Sequence, residues 1–143
     1  MNYDSLIMHV ADVNEDLAWK LDCVLREQER VEKEEDENSL TLNSYVTEFD
    51  TQAVSILEIL CSQNEMLDNS VEGKMVSQKE ALEYVHRKEV VARSVDSVVR
   101  AIRLVCDKLG REINPAVLEI EDQMTSNKIK PQIAFPGAEP EEE

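Results

Sequence analysis

This 143-residue sequence has abundant carboxylates but only two histidines and three cysteines, so the spacing of those few is the first test for chemistry. Glu83 and His86 stand three residues apart. On a helix such a pair projects side by side, as in the Glu-x-x-His motif of di-iron bundles. That chemistry requires a second pair and two further inward carboxylates. The other histidine, His9, has no glutamate three residues before it. Glu83 and His86 also fall opposite the apolar stripe of their own segment, so both are expected to face water. Cys23, Cys61 and Cys106 are widely separated and odd in number. None has metal-ligand spacing, and reduced, semi-buried thiols are expected. Gly73, Gly110 and Gly137 stand singly, so no glycine-rich loop can cradle a phosphate. Nothing in the order of Ser, His and Asp suggests a nucleophilic triad. The sequence predicts a non-enzymatic protein with no catalytic residues, no cofactor and no metal.

Residues suited to binding are easier to find. Trp19 lies about opposite the apolar stripe of its segment, at roughly 100° per helical residue. Met8 and Cys23 share that outer arc with Asp12, Glu15 and Asp16. Aromatic residues and Met are enriched at protein contacts, so Met8, Trp19 and Cys23 are candidate partner-binding residues. The competing expectation is a first helix buried on two sides within its own bundle. Near the carboxyl end, Ile129, Pro131, Ile133 and Phe135 alternate in a polar stretch beside Lys128 and Lys130. Alternation of period two suits an extended strand laid on a sheet edge or across a groove. This makes Ile129, Ile133 and Phe135 a second candidate contact, against the simpler expectation of a frayed terminus.

The elements that must position these residues are helices. All four prolines lie at or beyond Pro115, and aromatic content is only 4%. A Pro-free stretch rich in Leu, Val, Glu and Lys favours long helices. Leu6, Val10, Val13, Leu17, Leu21, Val24 and Val31 predict an amphipathic helix over residues 5–33. It gives way to the acidic run Glu34 to Glu37, expected to be solvated. Asn38 or Ser39 can cap a second helix over residues 40–68. Its seam is Leu42, Val46, Phe49, Ala53, Ile56, Leu60, Gln63 and Leu67, two interleaved heptad series as in a coiled coil. Asn69, Ser70 and Gly73 weaken helix, and Ser77 with Glu80 reads as a capping box. A hairpin bend is therefore expected between Asp68 and Ser77, against one continuous rod.

A third helix over residues 78–112 has the broadest face. Val91, Val95, Val98, Ile102, Val105 and Leu109 lie on its seam, with Tyr84, Val85, Lys88, Ala92, Val99, Cys106 and Ile113 completing three parallel series. Three series cover enough arc to touch two neighbours, so this helix belongs in the middle of a bundle. Asn114-Pro115 restarts a short fourth helix over residues 114–126. Residues 127–143 read as a flexible acidic tail. The expectation is an all-α fold: a bundle or coiled-coil domain over residues 1–113, the short helix, and the tail.

Charge narrows the partners. The net charge is −16, from 31 acidic and 15 basic residues. Phosphate backbones and anionic membrane surfaces are repelled, so neither direct nucleic-acid binding nor membrane attachment is expected. No apolar run approaches the ~20 residues of a membrane span, and no signal peptide is visible. Residues 39–72 hold six acids and no Lys or Arg, whereas residues 73–113 hold nine bases and six acids. An acidic helix beside a basic one suits an antiparallel hairpin. Exposed pairs are worth only ~0.5 kcal/mol each, so they select orientation more than they stabilise.

Three helices of about 30 residues, each ~45 Å long, enclose little interior and leave seams to be covered. The sequence therefore predicts a structural or adaptor subunit of an intracellular complex, cytoplasmic or nuclear. It would co-fold with other helical proteins and bind no small-molecule substrate. In layout alone, a long hairpin with an acidic surface and short tail resembles subunits of kinetochore, Mediator, tethering and spindle assemblies. The alternative is a monomeric helical-bundle module that captures a peptide or basic partner.

Overall fold

A computed structural model describes residues 3–35, 39–126 and 129–134. The described chain is overwhelmingly helical: α1 (Asp4–Val13), α2 (Glu15–Glu34), α3 (Leu40–Val71), α4 (Gln78–Leu109) and α5 (Pro115–Ser126). Two short strands, β1 (Met75–Val76) and β2 (Gln132–Ile133), pair in parallel.

The helix expected over residues 5–33 is two helices. Asn14 breaks it, with extended backbone (φ −162°, ψ 115°) and its side chain accepting a hydrogen bond from the Leu17 amide at 2.8 Å. Asn competes well for backbone donors and is a preferred N-cap, so it ends one helix and starts the next. The same Oδ1 accepts a bond from Gln52 Nε2 on α3, which fixes the elbow against the hairpin. The apolar periodicity runs through the break undisturbed because both helices present their stripes to one core.

Capping chemistry sets the other boundaries. Ser39 accepts from the Leu42 amide at 3.0 Å, and its hydroxyl donates to Glu27 on α2. Arg30, and secondarily Ser39, hold the Glu27 carboxyl below its usual range. Ser77 and Glu80 form the full capping box at the start of α4. α4 ends at Leu109, three residues short of the expected 112, because Gly110 takes the left-handed conformation (φ +63°) that closes helices. α3 extends to Val71 rather than 68, so Asp68 is helical rather than part of the bend.

α3 and α4 are 32 residues each and form the hairpin, ~48 Å long. At its base, α1 packs on α2 and α4, and α2 packs on α3, so four helices enclose one core. Val10, Leu17, Leu21, Phe49, Leu57, Val98 and Val105 are fully buried there. α1 runs antiparallel to α4, with Tyr3 at Lys108 and Val13 beside Val90. α5 lies along α3 and α4, tied by Arg103–Glu121 at 2.6 Å and by Cys61 to Gln123. α4 touches every other helix and is the hub.

The seam of α3 differs in period from the heptad expected. Leu42, Val46, Phe49, Ala53, Leu57, Leu60, Asn64, Asp68 and Val71 are buried. Their steps average about 3.6 residues, the period of a straight helix, rather than the 3.5 of a supercoil. Ile56 and Leu67 are consequently half-buried flanks, and Gln63 is exposed. On α4, Val91, Val95, Val98, Ile102 and Val105 are buried and Leu109 is half-buried.

Within the expected flexible tail, residues 129–134 lie against the hairpin tip. Met75 pairs with Gln132 and Val76 with Ile133, and the Ala134 amide donates to the Val76 carbonyl at 2.9 Å. Ile129 packs on a second small core of Val71, Val76, Ala81 and Tyr84. The period-two alternation thus marks an extended segment, laid on its own chain. Phe135 and the acidic end lie outside the described residues.

Candidate functional site

The residues with chemical potential are not brought together. Glu83 and His86 are both exposed on α4. Among the described residues, no three His, Cys, Asp or Glu side chains stand close enough to hold a metal ion. The three thiols are free and half-buried. Burial, before neighbouring Asp22, Glu65 and Asp50 respectively, raises the pKa of Cys23, Cys61 and Cys106. A raised pKa keeps a thiol protonated and therefore a poor nucleophile.

Among the described residues a buried polar cluster is present, which a heptad seam does not predict. Asp68 and Asn64 sit in the α3 seam, 3% and 4% exposed. Lys88 on α4 donates to Asn64 Oδ1 and to Asp68 Oδ1, the latter at 2.7 Å. The Tyr84 hydroxyl donates to Asp68 at 2.5 Å and also lies 3.2 Å from the Ile129 carbonyl. Burial, then the Asp68 carboxylate, push the Tyr84 phenol well above its usual range. Asp68 Oδ2 is buried with no hydrogen-bond partner among the described residues. The cluster joins α3, α4 and the carboxyl-terminal segment at the distal end of the hairpin. Tyr84 borders the shallow hollow that reaches Glu80, while Asn64, Asp68 and Lys88 do not line it, so the cluster ties elements together as a structural clasp. Lys88 at a seam position was the available signal, and a 3.6-residue period would have placed Asn64 and Asp68 opposite it.

The most site-like surface lies where the base bundle stops. α1 is only ten residues long and α2 turns away at Asn14, so beyond the elbow one face of the α3–α4 hairpin is bare. An open depression of about 420 Å³ runs there, lined by Gln63, Met66, Leu67, His86, Arg87, Val90 and Val91. Met66 is 68% exposed and Val90 42%. Ile59, two turns before Met66, continues the strip and is exposed too. The depression shares Val90 with a hollow lined by His9, Asp12 and Val13 of α1, and shares Leu67 and Arg87 with one reaching Glu80. Together they form a trough along α4 that starts at the end of α1. Arg87 and Arg93 on its rim make no ion pair among the described residues.

The partner-binding residues expected from sequence are scattered. Trp19 is 66% exposed and lines a shallow hollow with Asp16, Lys20, Cys23, Tyr45 and Glu48. Met8 is exposed on α1, across the elbow, and does not line that hollow. Ile129 is used within the chain itself, and Ile133 is half exposed on β2. The hairpin seam, expected to need cover from other chains, is mostly consumed by the protein's own core. What stays bare on the hairpin is the flank at Ile59, Met66 and Val90 and, away from it, Leu40, Met75, Leu82 and Val85.

No protein family, no characterised protein and no solved structure matches the chain. Among the described residues, no helix is long and apolar enough to cross a membrane.

Proposed function

We propose that this protein is a non-enzymatic adaptor subunit of an intracellular assembly, joined to other proteins by lateral packing of helices on its long hairpin. The observation that carries this reading is the bare apolar strip of Ile59, Met66 and Val90, which borders an open depression along the hairpin, whereas the exposed Leu40, Met75, Leu82 and Val85 line no such depression. Large apolar side chains grouped along one strip favour a contact surface over incidental exposure. The exposed Trp19 hollow supplies a second surface on the opposite half of the molecule, as an adaptor joining two neighbours requires. Kinetochore-, Mediator- and tethering-type complexes are the classes its layout suits.

The test is the size of the particle that contains the chain in native extract, measured by sedimentation. An adaptor travels in a complex much larger than its own 16.3 kDa. A compact monomer in extract would overturn the proposal. The second reading, a self-sufficient monomeric module for a peptide or basic partner, draws on the completeness of the base bundle. It predicts a monomer that melts cooperatively alone and stays monomeric in extract.

A further inference from the structure

We infer that the trough between α3 and α4 is the seat of one amphipathic helix from a different protein, apolar along its inner face and flanked by carboxylates. This deepens the adaptor reading and rests on it. α1 already lies against α4 and ends beside Val90, where the trough begins. A helix placed beyond Val90 continues the layer that α1 starts. From Val90 to Glu80 the trough spans about 15 Å at the helical rise, close to three turns of an occupant.

The chemistry of the walls selects the occupant. The floor and apolar wall are Leu67, Met66 and Val90, which suit Leu or Ile at helical spacing. On the α3 wall, Ile59, Gln63, Met66 and Ser70 carry no charge. The α4 side of the central depression carries Arg87 with His86 beside it and no carboxylate; Arg93 follows beyond Val90 with Asp12 and Asp96, and Glu80 and Glu83 stand at the opposite end. In a chain of net charge −16 the middle of the trough is lined by no carboxylate, and Arg87 there complements an acidic side chain. A second copy is disfavoured, because two-fold pairing through this face opposes like patches. About an axis near Val90 it would set Arg87 of one copy near Arg93 of the other and press two strongly acidic chains together.

The experiment uses the full chain carrying the photo-crosslinker benzoylphenylalanine at Met66, with a parallel variant carrying it at Trp19, irradiated in the cells that express it. Cross-linked segments are mapped by mass spectrometry. The expected result from Met66 is a segment of another protein with apolar residues at i, i+3 or i+4, and i+7, flanked by Asp or Glu. Arg87→Glu with Arg93→Glu, both at exposed positions, should then weaken binding at least tenfold with an unchanged melt, and Lys at the mapped acids should restore it. A cross-link to a second copy, to this chain itself or to a basic segment overturns the assignment, as does failure of the charge swap. Cross-linking from Trp19 but not Met66 overturns the trough proposal and leaves the adaptor reading standing. Cross-linking from neither position overturns both.

Discussion

The Asp68–Lys88 pair shows how one ion pair can be indispensable without being a source of net stability. Taking two charges from water costs several kcal/mol, and their attraction repays this only when further hydrogen bonds complete the site. Tyr84 and Asn64 supply those bonds, yet Asp68 Oδ2 still lacks a partner among the described residues. Asp68→Ala strands the Lys88 ammonium, which is only 20% exposed, and should cost about 3 kcal/mol. The double variant Asp68→Leu with Lys88→Met should recover most of that loss in urea melts. A non-recovering double variant would show that the pair itself stabilises. Tyr84 adds a pH signature. Its folded pKa is raised above the unfolded value of about 10, so its contribution is intact below pH 10 and lost as pH rises further. Wild type should lose about 1.4 kcal/mol more per pH unit above that point than Tyr84→Phe. Stability measured for both proteins between pH 9 and 11 checks the difference.

At the scale of elements, the turn chemistry carries the consequences. Asn14 serves as both a helix stop and an N-cap, so Asn14→Ala should cost about 1 kcal/mol by thermal melt. Glu35, the C-cap of α2, sits at φ 53°, in the left-handed region that favours glycine. A carboxylate there also faces the negative end of the helix dipole. Glu35→Gly should therefore stabilise by about 1 kcal/mol, read in the same melts. These two sites also mark how legible the fold was. The capping box at Ser77, the bend and the restart at Asn114-Pro115 are local chemistry and could be read directly. The break at Asn14 could not, because apolar spacing continues across it and only the docking of α1 on α4 reveals the turn. In α3 the sequence fits a 3.5- and a 3.6-residue period almost equally well through Ala53. The two diverge only from Ile56 onward, so a heptad seam omits Asn64 and Asp68 and leaves the bare flank at Met66 unmarked. The exposure of Trp19, by contrast, needed only its angular position.

For the whole molecule, the decisive feature is uneven enclosure along the hairpin. Around Phe49 and Val98 four helices surround one core, and both side chains are fully buried. Toward the tip the hairpin keeps α5 and residues 129–134 on one flank and open solvent on the other. Local opening free energy follows the density of buried apolar contacts, so the tip should open before the base. The clasp of Tyr84, Lys88 and Asp68 limits that opening but draws on few apolar neighbours. In hydrogen exchange of the isolated full chain, amides of residues 63–71 and 79–90 should exchange through a lower-energy opening than those of residues 45–53 and 95–105. Uniform protection along the hairpin would mean that the tip is enclosed as well as the base, and the bare flank would lose its meaning. If the gradient is found, a helix seated beside Met66 and Val90 should flatten it by adding the missing layer. Binding at that face would then be measurable as protection spreading from the base toward β1.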